Sequence, residues 1–147
     1  MSMIITLLKE DHQKVAGMLE ELSHTTTRGV KKRETLFASL QKELGVHEEF
    51  EETELYTRLE EYKATKDQTL ESFEEHRVMD YLLALMDEIA VDDETWKAKL
   101  KVLTENIEHH VEEEEKILFP LSKKVLSSEK LQELGSLYEK FKESHLG

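Results

Sequence analysis

The stretch HVEEEEKILFPLS, residues 110–122, places a histidine and four consecutive glutamates before an apolar ending. It repeats an earlier stretch, HEEFEETELYTRL, residues 47–59. In the alignment His47 matches His110 and Glu51 matches Glu114. The two stretches are therefore two copies of one pattern, His-x-x-x-Glu followed by leucine and an aromatic residue.

A second pair of stretches repeats at nearly the same offset. EDHQKV at 10–15 aligns with EEHRVM at 74–79, which matches His12 to His76. Each half of the chain thus carries a single histidine, followed later in the sequence by a His-x-x-x-Glu motif. This arrangement indicates two copies of one helical hairpin.

Apolar residues recur in steps of three and four along the whole chain, which is the period of an amphipathic helix. The first three helices are predicted at about 2–23, 30–62 and 66–90. A fourth runs from the VDDETW stretch to about 118, where Pro120 should end it, and a fifth is predicted at about 128–145. We therefore expect an all-α single domain over 1–147. Its core is an antiparallel up-down-up-down four-helix bundle, about 2–120, with a short additional C-terminal helix.

The predicted apolar stripes contain residues that do not suit a core. Each of the four long stripes carries a histidine near its middle, and two of them add a glutamate one turn later. The stripe of the second helix is predicted to continue to Tyr62 and that of the fourth to Ile117. A charged carboxylate that faces a bundle core is costly unless something compensates it.

Composition excludes several classes of function. The 147 residues include no cysteine, so disulfides, thiolate metal sites and cysteine nucleophiles are excluded. The formal net charge of −13 repels phosphate backbones, so no nucleic-acid partner is expected. No apolar run approaches the roughly 20 residues of a membrane span. The N-terminus is too acidic for a signal peptide, and we expect a cytoplasmic protein without membrane contact.

The paired spacing predicts a metal site. Residues four apart share a helix face, so each His-x-x-x-Glu can offer an imidazole and a carboxylate to one ion. Two hairpins packed face to face would bring four imidazoles and two carboxylates together, a donor set that suits iron, manganese or zinc. The alternative is a structural layer of hydrogen-bonded polar side chains.

On these motifs the chain resembles the hemerythrin-like, or HHE cation-binding, family. EDH at 10–12, HEEFE at 47–51, EEH at 74–76 and HVEEE at 110–114 with the following ILFP carry the resemblance, which covers about residues 4–122. It implies a four-helix bundle around a non-haem centre of two iron ions, oxo- or hydroxo-bridged. The implied iron ligands are His12 and His47 on one ion, His76 and His110 on the other, and Glu51 and Glu114 as bridges.

Two positions depart from the oxygen-carrying hemerythrins that the family includes. Those carriers have a fifth histidine where this chain has Ser72, and His-x4-Asp where it has His110 and Glu114. Reversible oxygen carriage is therefore not expected. Water, Glu48 or Asp80 could fill the vacated coordination position, although for the two carboxylates a surface salt bridge or a contact behind the metal ligands is the favoured interpretation.

Other residues are predicted to lie outside the site. His109 is about 100° around the helix from His110 and is interpreted as a bystander. His24 and His145 are expected on the surface, and Met79, Met86, Phe73 and Trp96 in the core. A solvated acidic face is predicted from Glu49, Glu52, Glu54, Glu112, Glu113 and Glu115.

Four functions remain open from the sequence. The first is a di-iron protein that binds or senses dioxygen, iron or redox stress, with dioxygen or a related small oxidant as its partner. The second is an enzyme at the same centre, acting on peroxide or nitric oxide or as a ferroxidase. The third is iron–sulfur cluster repair, which the missing cysteine disfavours, and the fourth is a structural bundle, empty or holding zinc. The C-terminal helix is predicted to dock on the bundle or to contact a protein partner; the oligomeric state stays open.

Overall fold

The computed structural model describes residues 3–146, which are helical without a β-strand in that range. Helix α1 is Ile4–Ser23, and α3 is Lys63–Asp87. Helix α2 begins as Val30–Phe50, continues through a π-helical stretch, Glu51–Tyr56, and ends with Thr57–Leu59. Helix α4 begins as Trp96–Glu113, continues through a second π-helical stretch, Glu114–Leu118, and ends with Phe119–Val125. Helix α5 is Ser128–Leu146.

The first four helices form the predicted bundle, with α5 as the additional C-terminal helix. Short connections reverse the chain between consecutive helices, so α1 packs on α2 and α3 packs on α4, while α4 also contacts α1. Their apolar faces form two separate clusters. One contains Leu19, Leu40 and Trp96, and the other contains Leu8, Leu55 and Phe119. The candidate site lies between these clusters.

The two π-helical stretches begin at the two glutamates of the repeated motif. A π turn adds one residue to the helical turn, so the buried face advances by one position relative to an α-helix. Accordingly Leu118 and Phe119, although adjacent, are both fully buried. The prediction that Ile117 lies in the core is wrong, since its side chain is 41% exposed.

Pro120 does not end the fourth helix as predicted. The helix continues through it to Val125. A proline inside an α-helix removes one hydrogen bond and clashes with the carbonyl one turn earlier. Here Pro120 directly follows the widened π turn, at the first positions of a new α-helical segment, where its missing N–H is tolerated.

The second helix ends three residues earlier than predicted. Its last turn closes at Leu59, and Tyr62 is 39% exposed rather than part of the stripe. Tyr62 instead adopts an extended backbone that separates α2 from α3. The bundle helices thus differ from the predicted ranges mainly at their ends, where capping and packing decide the boundary.

Helix α5 docks on the bundle, which is one of the two roles left open for it. Leu131, Leu134 and Tyr138 are buried in the cluster that also contains Leu8. The helix packs along α1 and α2. It thereby covers one side of the bundle beside the candidate site.

Candidate metal centre

Four histidines, one from each bundle helix, meet at the middle of the bundle. The exposed fractions of His12, His47, His76 and His110 are 7%, 6%, 1% and 3%. The ring centroids of His12 and His47 are 5.1 Å apart, and those of His76 and His110 are 4.7 Å apart. The four imidazoles therefore form two pairs, each combining one residue from each of two neighbouring helices.

Two fully buried carboxylates connect these pairs. Oε1 of Glu51 lies 3.2 Å from Nε2 of His47 and 3.2 Å from Nε2 of His76. Oε1 of Glu114 lies 3.1 Å from Nε2 of His12 and 3.5 Å from Nε2 of His110. Each carboxylate thus reaches one imidazole of each pair, which is the arrangement that a bridging ligand between two ions requires.

Several of these inward atoms lie close to one another and yet form no hydrogen bond of acceptable geometry among the described residues. They are Nε2 of His12 and His47, both carboxylate oxygens of Glu51 and Oε1 of Glu114. Unpartnered buried polar atoms are rare in folded proteins because each forfeits its hydration. One cation at each pair would satisfy them, so the donor set fits two metal ions.

The ligand atoms also lie close enough together for metal binding. One group of atoms within 4.8 Å of one another comes from Glu51, His76, His110 and Glu114. A second such group comes from His12, His47 and Glu114. The structure therefore brings together all six residues predicted as metal ligands, in two groups that share a carboxylate.

The electrostatics of the metal-free site favour positive charge. Burial lowers the pKa of His76, but its contacts with the carboxylates of Glu51 and Glu52 outweigh burial and raise that pKa to about 10. Burial raises the pKa of Glu51, but the charge of His47 and the close approach of Glu114, His47 and His76 hold that pKa well below its usual range. Carboxylates that draw protons onto imidazoles in this way will also attract a metal cation.

Each imidazole is oriented by a second carboxylate behind it. The outer nitrogen, Nδ1, of each histidine lies within hydrogen-bond distance of one carboxylate. The distances are 2.7 Å between His12 and Glu115, 3.0 Å between His47 and Asp11, 2.7 Å between His76 and Glu52, and 2.6 Å between His110 and Glu75. When Nδ1–H donates to the carboxylate, the lone pair of Nε2 points to the centre, as metal-binding histidines require. In His76 and His110 these Nε2 atoms are only 3.2 Å apart, an approach that a shared cation explains.

This outer shell corrects the sequence analysis. Glu52 and Glu115 were predicted to lie on a solvated face, but each holds a histidine of the opposite hairpin. Asp11 and Glu75 were not singled out. The repeat contained the signal, because an acidic residue precedes His12 and His76, and another follows Glu51 and Glu114.

One aromatic position makes the two halves of the site unequal. The hydroxyl of Tyr56 donates a hydrogen bond to Oε2 of Glu114 and lies 3.4 Å from Nε2 of His76. The residue aligned with it in the second repeat, Phe119, stacks on His12 at 5.9 Å without a polar group. Ser72, at the position of the missing histidine, is fully buried. The phenol ring of Tyr56 lies 5.3 Å from the imidazole ring of His76.

Of the two carboxylates considered for the vacated position, only Glu48 is buried beside His76. Glu48 is buried, and its carboxylate lies within 4.8 Å of ligand atoms of Glu52 and His76. Burial and the neighbouring Asp80 raise the pKa of Glu48 to about 9. Asp80 itself is exposed.

A small cavity and a surface groove lead toward the centre. The cavity, about 20 Å³, is lined by all four histidines and by Glu48, Met79 and Val111, among others. This volume is sufficient for one water-sized molecule. An open groove of about 710 Å³ between α1 and α4 shares Ile107, Val111 and His12 with it. These three side chains separate the groove from the cavity.

The remaining histidines lie outside the centre as predicted. The side chain of His109 is 64% exposed and contacts Glu75 and Glu113 at 3.5 Å. His24 and His145 are also exposed. Among the four core residues predicted with them, Met79, Met86 and Trp96 are buried, and Phe73 packs against the core.

Comparisons with known proteins agree with this geometry. A structure of a hemerythrin HHE cation-binding domain-containing protein from Mycobacterium kansasii matches with a TM-score of 0.83 at 21% identity, covering 98% of this chain and 90% of that one. A DNA nickase from Nostoc sp. is 28% identical over 133 residues, which span 90% of this chain but only 37% of the nickase. The model of the hemerythrin HHE cation-binding domain matches residues 3–122. The chain therefore belongs to the hemerythrin HHE cation-binding domain family.

Proposed function

We propose that this chain binds two non-haem iron ions and uses them to bind or sense dioxygen or a related small oxidant. The observation that carries the proposal is the position of Glu51 and Glu114. Each of these buried carboxylates lies within 3.5 Å of an imidazole from both histidine pairs. A purely structural polar layer would satisfy its own hydrogen bonds, whereas several inward atoms here have no partner.

The proposed ligands follow from the two groups of donor atoms. His12 and His47 would hold one ion and His76 and His110 the other, with Glu51 and Glu114 shared between them. When bound, the two ions would supply redox chemistry and an open position for a small oxidant. The protein orients the imidazoles through Asp11, Glu52, Glu75 and Glu115.

The surroundings of the centre support sensing or reaction rather than reversible carriage. The position of the carriers' fifth histidine holds Ser72, and the hydroxyl of Tyr56 lies beside His76 instead. A phenol is itself oxidisable, so its place beside the centre favours sensing or reaction over reversible carriage.

The test of this proposal is metal content. Protein produced with iron and purified without oxygen should contain two irons per chain, and exposure to air should produce an oxo-to-iron charge-transfer band. Less than one metal ion per chain under those conditions would contradict the proposal. Two zinc ions in place of iron would favour the structural alternative.

Enzymatic turnover is the second candidate function. The groove between α1 and α4 reaches His12 at the edge of the centre, which is where peroxide or nitric oxide would enter. Consumption of either molecule should then exceed that of an equal concentration of free iron. In the variant Val111→Trp, which places bulk between groove and cavity, the rate should fall while the iron content stays unchanged.

We also propose that the chain does not bind nucleic acid, although one relative is a DNA nickase. Nicking belongs to that longer protein, of which the matched part is 37%. The net charge of −13 opposes contact with phosphate backbones. Fluorescence anisotropy with labelled duplex and single-stranded DNA at low salt tests this, and saturable binding below about 1 μM would contradict it.

A further inference from the structure

The four carboxylates that contact Nδ1 of the histidines, here called the outer carboxylates, differ in their solvent exposure. The side chains of Glu52 and Glu115 are 36% and 34% exposed, and that of Glu75 is 16% exposed. Asp11 is only 6% exposed. Asp11 therefore belongs to a part of the centre that another element encloses.

That element is the C-terminal helix. The hydroxyl of Tyr138 donates a hydrogen bond to Oδ2 of Asp11, the same oxygen that lies 3.0 Å from Nδ1 of His47. Nζ of Lys142, one turn later, donates to Oδ1 of Asp11 at 2.8 Å. Both carboxylate oxygens of Asp11 thus accept hydrogen bonds from α5, and one of them also contacts the imidazole.

The packing around Tyr138 fixes its hydroxyl in place. Tyr138 is 1% exposed, and its ring lies 4.6 Å from that of Phe50 on α2. The hydroxyl of Tyr138 is therefore held in one place behind Asp11, which in turn contacts His47.

The other half of the repeat has no such support. Glu75 is the counterpart of Asp11, and it lies 2.6 Å from Nδ1 of His110. Its other contact within hydrogen-bonding or ion-pair distance in residues 3–146 is the exposed His109, at 3.5 Å. The internal symmetry of the bundle is thus broken by α5 on one side of the centre.

We propose that Tyr138 and Lys142 are positioning residues for the metal position formed by His12 and His47, acting through Asp11. The inference rests on the proposed metal binding and adds a role for the C-terminal helix. By fixing Asp11, α5 fixes the ring orientation of His47 and prepares one metal position but not the other. Partners of this kind are typically worth 10–100-fold in metal affinity.

Linkage makes the effect reciprocal. If docking of α5 strengthens metal binding at this position, metal binding must strengthen docking of α5 by the same factor. The C-terminal helix then responds to occupancy of one of the two positions. Amide hydrogen exchange of residues 128–146 should be slower in the Fe²⁺-loaded protein than in the metal-free protein.

The experiment measures the release of Fe²⁺ from the anaerobically loaded full chain to an excess of a chromogenic chelator. Tyr138→Phe retains the ring and Lys142→Met retains the aliphatic stem, so both should remain folded. Each should accelerate release of one of the two irons by at least about 10-fold and leave the other unchanged. Lys142→Arg should restore slow release, because the guanidinium keeps the charge and the donors.

Matched controls separate this effect from a loss of stability. Tyr81→Phe and Lys140→Met change the same residue types at exposed positions and should release both irons as the unmodified protein does. Glu75→Gln should accelerate release of the other iron. In an Asp11→Ala background, Tyr138→Phe should add nothing, because its route to His47 is already removed.

Three results would overturn the inference. They are equal acceleration of both irons in Tyr138→Phe, unchanged release in Tyr138→Phe and Lys142→Met, or additive effects with Asp11→Ala. Equal hydrogen exchange of α5 with and without Fe²⁺ would also contradict it. Failure of the unmodified protein to bind iron would refute the proposed function itself, so the two failures are distinguishable.

Discussion

At the scale of single residues, neighbouring side chains of one type have different environments. His109 and His110 are adjacent, yet the side chain of the first is 64% exposed and that of the second only 4%. Nε2 of His110 faces the centre and its Nδ1 is held by Glu75. The rotation of about 100° per residue along a helix is what separates these two environments.

The first prediction concerns this pair. His110→Ala should lose most of the bound iron, since it removes a ligand and leaves Glu114 less compensated. His109→Ala should retain about two irons per chain and serves as the matched control. Iron per chain, measured by plasma mass spectrometry after gel filtration, decides the outcome. Equal losses in both variants would contradict the proposed site.

The second prediction concerns Tyr56. Tyr56→Phe should retain both irons, because Phe119 shows that the equivalent space in the other half accepts a phenylalanine ring. The substitution removes the hydroxyl that donates a hydrogen bond to Oε2 of Glu114. The absorption spectrum of the air-exposed iron-loaded protein should therefore shift. Metal-free Tyr56→Phe should be less stable by about 1–3 kcal/mol in urea unfolding. An unchanged spectrum would show that Tyr56 does not influence the centre, and Tyr62→Phe is the control.

At the scale of elements, the π-helical stretches place the carboxylates and reset the buried face behind them. Glu51 and Glu114 each begin such a stretch, and in both cases the next two buried residues are neighbours in sequence. They are Leu55 with Tyr56, and Leu118 with Phe119. A π turn adds one residue to the helical turn, so the buried face behind each glutamate advances by one position and includes both neighbours. The π turn therefore brings an aromatic ring to the metal centre without losing the leucine.

The third prediction tests this register. Leu118→Ala should lower the free energy of unfolding by about 2–5 kcal/mol, because Leu118 is fully buried in a packed cluster. Ile117→Ala should change it by less than about 0.5 kcal/mol, because that side chain is largely in solvent. Urea unfolding of the metal-free variants provides both values. The reverse order would indicate a regular α-helix through residue 118.

At the scale of the whole molecule, a polar layer divides the core in two. Apolar clusters lie on either side of the four histidines, and the centre between them contains buried carboxylates. Such a layer contributes little to stability without a compensating cation. Metal ions that bind only the folded state therefore add their binding free energy to the stability of the whole bundle.

The fourth prediction follows from this coupling. Free iron at 100 times its dissociation constant should stabilise the protein by about 2.7 kcal/mol for each site. The two sites together contribute about 5.4 kcal/mol, so for a chain of this size chelation of both irons should lower the midpoint of thermal unfolding by roughly 10–20 °C. Differential scanning calorimetry with and without chelator measures this shift. His110→Ala should show a smaller shift, and an equal shift would mean that the iron binds elsewhere.

The sequence by itself determined the helical architecture, the pairing of the two hairpins and the six inward histidines and glutamates. These features repeat at fixed spacings, and the spacing of three and four residues directly reports which side chains share a helix face. The choice of His110 over His109 also followed from this local geometry. None of these inferences required knowledge of contacts between distant residues.

Only the tertiary structure decided the π turns, the outer carboxylates and the role of the C-terminal helix. Whether Ile117 or Leu118 is buried depends on one inserted residue per turn, which costs little locally and is selected by packing around the centre. Glu115 orients His12, and Tyr138 reaches Asp11, across separations of 103 and 127 residues. Helical periodicity reports only the face of a residue's own helix, so partners supplied by other helices appear only once those helices pack together.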